Sequence, residues 1–149
     1  MREIHVNEIV NTVARLCIEA CHELPDDVVQ GFHTAAEKEI SPFGKSVLLK
    51  LIDNDRIARE NNVPYCHDTG LTIVYADIGQ DVHIVGGNYL DAVNAGVRKG
   101  YADGYMRKSV VTDPLKRVNS NDNTPAVVHT EIVPGTQIKF TVLPKGGGS

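Results

Sequence analysis

Between Asn88 and Arg107 the sequence places glycine at positions 96, 100 and 104, in line with Ala92, so a helix drawn here has one stripe nearly bare of side chains. Each glycine costs about 1 kcal/mol against alanine in a helix interior, so three in register need a structural reason. Close approach of another backbone is the simplest one, by the sterics that bring small-residue stripes together elsewhere. The helix itself is well signalled: Asn88 is a good amino-terminal cap, Asp91 follows three residues later, and the helical pattern runs to about Arg107.

Three further helices are expected upstream. Asn7 can cap the first, which carries Ile9, Val10, Val13, Leu16, Cys17, Ala20 and Leu24 at helical spacing until Pro25 stops it. A second starts near Asp26 or Asp27, whose carboxylates suit a helix amino end, and holds Val28, Val29, Phe32, Ala35 and Ala36 in spite of Gly31. Ser41-Pro42 opens the third, with Val47, Leu48, Leu51, Ile52 and Ile57 along it and Asn61-Asn62 beyond its end. Residues 71–76 and 82–85 read as strands, with a turn over 78–81 between them. Residues 128–132 and 138–142 read as a hairpin about Pro134-Gly135. The sum is an α+β chain: an amino-terminal helical layer, short strands, a glycine-striped helix and a β-hairpin. The expected core comprises Ile9, Val13, Leu16, Val28, Phe32, Leu48, Leu51, Ile52, Ile73, Val93, Val97, Val128, Ile132, Ile138 and Phe140.

With 149 residues, 42% of them hydrophobic, the chain is sized for one domain with a real core. A net charge of -4 with scattered lysines and arginines leaves no footprint for nucleic acid. No apolar run approaches the roughly 20 residues that cross a bilayer, and the amino terminus lacks a signal peptide's apolar centre, so no membrane partner and a cytoplasmic location are expected. Three cysteines in a reducing compartment argue against a disulfide framework.

The stretch Val63-Pro64-Tyr65-Cys66-His67-Asp68-Thr69-Gly70 gathers a thiol, an imidazole, a carboxylate and a hydroxyl between two breakers. Pro64 and Gly70 place Cys66 on a rigid loop. Such a cysteine can be a nucleophile activated by a neighbouring base, a ligand to a soft metal or iron-sulfur cluster, or an inert packed thiol. These residues alone leave all three open. The ending, Lys145-Gly146-Gly147-Gly148-Ser149, reads as a linker or as a backbone-lined anion loop.

Together, Cys66-His67-Asp68-Thr69-Gly70, the striped helix leading to Met106-Arg107-Lys108-Ser109, Asn123-Thr124-Pro125-Ala126 and the glycine ending resemble the iron-sulfur fumarate and tartrate hydro-lyases. The nearest likeness is to the alpha subunit of the two-subunit, class I type fumarate hydratase, and it covers almost the whole chain. The resemblance implies a 4Fe-4S cluster held by three cysteines, whose open iron acts as a Lewis acid in the reversible addition of water to a C4 dicarboxylate. It makes Cys66 the first cluster ligand and Asp68 the residue that handles the water proton. It assigns Arg107 to a substrate carboxylate, through two parallel hydrogen bonds, and Gly148 to the other anionic end. His67 stands at a substrate-contacting position where the family usually has glutamine, and the Asn119-Ser120-Asn121 stretch has asparagine where glycine is common.

On the same resemblance the two remaining ligands lie beyond Ser149, the catalytic base lies on a beta subunit, and alpha subunits pair as a homodimer. The 149 residues are then the amino-terminal part of the alpha subunit, and inactive alone. Cys17 and Cys21, four apart on an apolar helical face, are expected to pack in the core. Fumarate with (S)-malate is the expected substrate pair and tartrate the next. The competing expectations are a cysteine-nucleophile hydrolase built on Cys66 and His67, and a non-catalytic assembly module.

Overall fold

A computed structural model describes residues 1–147. Its elements, in chain order, are β1 (Arg2–His5), α1 (Val6–His22), α2 (Asp26–Lys38), α3 (Pro42–Asn61), β2 (Leu71–Gly79), β3 (Val82–Val85), α4 (Tyr89–Asp103), β4 (Val127–Val133) and β5 (Ile138–Lys145). The mixed α+β class expected from the sequence is the one observed.

The bare stripe of α4 lies against α1. A Cβ on Gly96 would stand 2.7 Å from Val13 Cβ and 2.9 Å from the Val10 carbonyl oxygen, and one on Gly100 would stand 2.7 Å from the Ala14 carbonyl oxygen. No methyl group fits at such distances, so the glycines are what allow the two backbones to meet. Gly104 does something else. It caps α4 after Asp103, and Tyr105 follows with φ +55, turning the chain out of the helix. The helix therefore ends short of the expected Arg107, which sits on a loop instead.

At the start of α1 the cap is His5, not Asn7: the Asn7 amide donates to His5 Nδ1 at 3.1 Å. The preceding strand, β1, pairs in parallel with β3 from Arg2 against Val82 to His5 against Val85. Four residues carrying one buried side chain, Ile4, give too short a pattern to announce that strand.

The main sheet has the order β4-β2-β5. β4 and β5 run antiparallel and are joined about Pro134-Gly135, as expected, but they do not pair with each other, because β2 lies between them. The cause is the tail of β2, longer than the sequence pattern suggested. It enters the mouth of the turn, where Gly79 N donates to Gln137 O, Gln80 N to Val133 O and Asp81 N to Gly135 O. Alternate residues of β2, Thr72, Val74, Ala76 and Ile78, are buried on one face. Val74 there joins a core formed with Ile9, Val13, Cys17, Cys21, Ala92, Val93, Val97, Tyr101 and Met106.

Several expected core residues lie outside it. Ile132 is 66% exposed near the end of the edge strand β4, and Val28 and Leu51 are exposed on α2 and α3. Helices α2 and α3 pack on one another, yet bury only Ala36, Asp55 and Ala58 fully. Phe32, Leu48 and Ile52 are half-buried, and Ile40 and Phe43 stand 97% and 80% exposed. A helical pattern identifies an apolar face but does not say whether a second layer covers it. Among the described residues, no helix is long and apolar enough to cross a membrane.

Candidate functional site

The cysteine loop starts where Asn62, in the left-handed conformation at φ +52, caps α3. Tyr65 N donates to the Cys21 carbonyl at 3.1 Å and Asn54 Nδ2 to the Tyr65 carbonyl at 2.7 Å, which pins the residue before Cys66. Cys66 itself is exposed, and its sulfur accepts from the Asp68 amide at 3.4 Å. Thr69 and Gly70 turn inward. Thr69 Oγ1 donates to the Arg107 carbonyl at 2.6 Å, and the Tyr101 hydroxyl donates to the Thr69 carbonyl at 2.8 Å. Gly70 has φ +51, and a side chain there would collide with the Lys145 carbonyl, so glycine is required both by conformation and by space.

Two recesses meet at Cys66. The larger, about 310 Å³, is lined by Pro64, Cys66, His67, Thr69, Tyr105, Met106 and Arg107. The smaller, about 30 Å³, is lined by Cys21, Tyr65, Cys66, Asp68, Thr69 and Pro144. Cys66, His67 and Arg107 thus share one cleft. Asp68 borders the other flank of the same sulfur, where the Gly147 amide lies 3.4 Å from its Oδ1. Gly148, the expected anion contact, lies outside the described residues.

Cys17 and Cys21 are buried in the core. Burial raises the Cys17 thiol from 9.0 to about 12, helped by the proximity of Cys21. Burial likewise raises Cys21 to about 12, with Cys66 adding to the effect. Tyr65 is raised too, first by burial and then by the negative charge that Cys21, Cys66 and Asp55 can carry. Thiols held protonated in hydrocarbon are poor metal ligands. Among the described residues no group of three His, Cys, Asp or Glu side chains is placed to hold a metal ion. The one exposed thiol, on a rigid loop and with an amide donating to its sulfur, fits a single corner of an iron-sulfur cluster. It does not fit a whole binding site. A thiol and imidazole pair is not formed either, since among the described residues no hydrogen bond joins His67 to Cys66.

Asn123, part of the Asn123-Thr124-Pro125-Ala126 motif, is fully buried. Its Oδ1 accepts from Ser109 N at 2.7 Å and Val110 N at 3.3 Å, while its Nδ2 reaches Gly70 O at 3.1 Å and Thr72 Oγ1 at 3.5 Å. Tyr101, buried within α4, supports the cysteine loop in a way that its helical spacing does not signal. The sequence signal for Asn123 is the cluster of three asparagines at 119, 121 and 123, a residue type that tolerates the left-handed region. Asn121 and Asn123 do adopt it, at φ +66 and +61.

The fold and site define a class: an α+β domain in which an exposed thiol and a guanidinium share one cleft, with a glycine-rich strand end beside them. The chain belongs to the fumarate hydratase (Fumerase) family, whose profile matches residues 10–149. It is 33% identical to a putative L(+)-tartrate dehydratase subunit alpha of Methanocaldococcus jannaschii, over 95% of this chain and 52% of that protein. It is 35% identical to the anaerobic class I fumarate hydratase of Escherichia coli K12, over 76% of this chain and 21% of that protein. The L(+)-tartrate dehydratase subunit alpha of Escherichia coli UTI89 is 27% identical over 96% of this chain and 48% of its own length. The chain thus spans about half of the tartrate dehydratase alpha subunits and about a fifth of the fumarate hydratase it matches.

Proposed function

We propose that the chain forms part of an iron-sulfur hydro-lyase that reversibly adds water to fumarate, giving (S)-malate. The observation that supports this best is the shared cleft: Cys66 and Arg107 line it together, and the loops carrying them are joined by the Thr69 to Arg107 hydrogen bond. Cys66 would hold one corner of a 4Fe-4S cluster whose other two cysteine ligands come from outside these 149 residues. When bound, the cluster supplies the Lewis acidity that makes hydroxide a tolerable leaving group.

The chain's own residues do the rest of its share. Arg107 binds a substrate carboxylate through its planar fork, which fixes the orientation of the anion as well as its position. His67, beside Cys66 on the other wall of the cleft, contacts the substrate. Asp68, across the sulfur from Arg107, accepts or returns the proton of the water, and the Gly148 amide receives the second carboxylate. The base that removes the carbon-bound proton belongs to a beta subunit, alpha subunits pair as a homodimer, and the assembly works in the cytoplasm. Without its partners the 149-residue chain is inactive.

A second reading, an L(+)-tartrate dehydratase alpha subunit, is supported by the longer alignments to proteins of that name. Both substrates are C4 dicarboxylates suited to the same arginine. Steady-state kinetics of the complete enzyme on fumarate, (S)-malate and L(+)-tartrate separate the two readings. Replacing Arg107 by Lys keeps the charge and removes the fork. R107K should raise KM for the dicarboxylate about 10- to 100-fold, the range of a lost charged hydrogen bond, with iron content unchanged. An unchanged KM would remove Arg107 from the site.

A further inference from the structure

Two segments form the walls of the cleft: residues 66–70, carrying Cys66, and residues 105–110, carrying Arg107. We infer that Asn123 is a positioning residue that fixes the separation and tilt of these two walls, and through them the distance between thiol and guanidinium. The inference rests on the hydro-lyase reading for its functional consequence, but its geometry stands without it.

The primary amide is used at both ends. Its carbonyl oxygen takes Ser109 N and Val110 N on the arginine wall, and its NH2 group gives to Gly70 O on the cysteine wall and to Thr72 Oγ1 just beyond it in β2. Two donors and two accepting directions are all that an asparagine side chain has, so the group is saturated. Only one orientation of the amide satisfies this set, because amide hydrogens on one wall face a carbonyl on the other.

A single bond between two loops acts as a hinge. Here there are two links at neighbouring residues: the direct one from Thr69 Oγ1 to Arg107 O, and the one through Asn123. Together they prevent rotation of one wall about the other. Burying a polar side chain completely gains little net stability when its bonds merely replace those to water, so stability alone is a weak reason for an amide here. The backbone points the same way. At φ +61 a glycine would be the relaxed choice, and asparagine supplies the amide while still tolerating that conformation. Catalytic groups must be held within about 0.5 Å of the productive arrangement, and a displacement near 1 Å costs about 100-fold in rate.

The test uses the complete enzyme with its partner subunit and reconstituted cluster. N123G keeps the left-handed backbone and deletes the amide. N123D keeps the shape and one acceptor but sets an oxygen against Gly70 O. V97A, which truncates a fully buried core side chain outside the two walls, serves as a control for loss of stability. The readouts are the Kd of succinate, a dicarboxylate that cannot be hydrated, kcat and KM separately, and iron and sulfide content. N123G and N123D should weaken succinate about 10-fold and lower kcat/KM about 100-fold, with iron and sulfide unchanged, whereas V97A should alter neither constant. Wild-type succinate affinity and kcat/KM in either Asn123 variant would overturn the inference, as would failure of both to fold, which would make the residue structural only. Failure of the underlying reading is distinguishable: a wild-type enzyme that hydrates no C4 dicarboxylate overturns the assignment, and the succinate Kd of the variants still tests the positioning.

Discussion

His22 is 3% exposed, with Nε2 3.0 Å from the Gly104 carbonyl and Nδ1 3.1 Å from Asn62 Oδ1. One imidazole therefore ties the cap of α3, where the cysteine loop begins, to the cap of α4, where the arginine loop begins. Truncating it removes the ring N–H that the buried Gly104 carbonyl accepts, leaving that oxygen without its partner, and removes the contact with Asn62 as well. H22A should cost about 2–3 kcal/mol, read from the urea midpoint of the chain at neutral pH, and a loss below about 0.5 kcal/mol would show that water replaces the ring. At this scale the sequence was informative where chemistry is local. Cys66, His67 and Asp68 adjoin one another in the chain, and flanking breakers announced their loop. His22, Tyr101 and Asn123 act through carbonyls and amides far away in sequence, and no spacing rule reveals a partner of that kind. Arg107 came from resemblance, and the structure gives it a different setting: a loop after Gly104, in place of the end of a helix.

Among the elements, α4 shows how the same residue type can carry opposite signs. Gly31 in α2 has nothing within 4 Å of a Cβ, whereas Gly96 and Gly100 meet α1 at 2.7 Å. Alanine gains about 1 kcal/mol of helix propensity at every one of these positions. G31A should accordingly stabilise the chain by about 0.5–1 kcal/mol, while G96A and G100A should destabilise it by about 1–3 kcal/mol as α1 and α4 are forced apart. Thermal unfolding of the three variants beside wild type measures both signs, and a stabilised G96A would mean that the seam is not close-packed. Helix α1 offers a second test through its thiols. Cys17 and Cys21 titrate at about 12 in the fold against 9.0 in an exposed thiol, so their contribution to stability is complete below pH 9 and is lost as pH rises toward 12. In that window the unfolded chain has released protons that the folded one retains, at about 1.4 kcal/mol for each pKa unit. Under reducing conditions the urea midpoint should fall between pH 8 and about pH 10.5, and it should fall less in C17A/C21A, despite that variant's lower starting stability. Equal slopes would mean that the two thiols already titrate normally. Helix positions were legible because caps and periodicity are local. Strand partners were not, since β2 inserts between two strands that follow it in sequence.

For the molecule as a whole, the division of apolar surface matters more than its amount. The body consists of α1, α4 and the inner face of the β4-β2-β5 sheet, and it holds the fully buried side chains from Ile9 to Met106. Helices α2 and α3 form a pair at its side, connected mainly through polar groups near the end of α3: Leu24 N to Asp55 Oδ1 at 3.3 Å, Arg59 to both Asp55 and the Leu24 carbonyl, and Asn62 to His22. Ile40, Phe43, Val47 and Leu49 stay exposed on that pair, which lowers the free energy that opening it must overcome. Regions with few buried apolar contacts open independently of the rest, and their amides exchange through that local opening. Hydrogen exchange with peptide resolution should therefore show α2 and the first half of α3 exchanging ahead of α1, α4 and β2 under native conditions. The cysteine loop, bonded to the body through Cys21 O, Tyr101 and Asn123, should follow the slow group although it lies next to α3 in sequence. If the loop instead exchanges together with α2, the walls of the cleft are not fixed to the body, and an arrangement set by Asn123 could not persist through the opening of the helical pair.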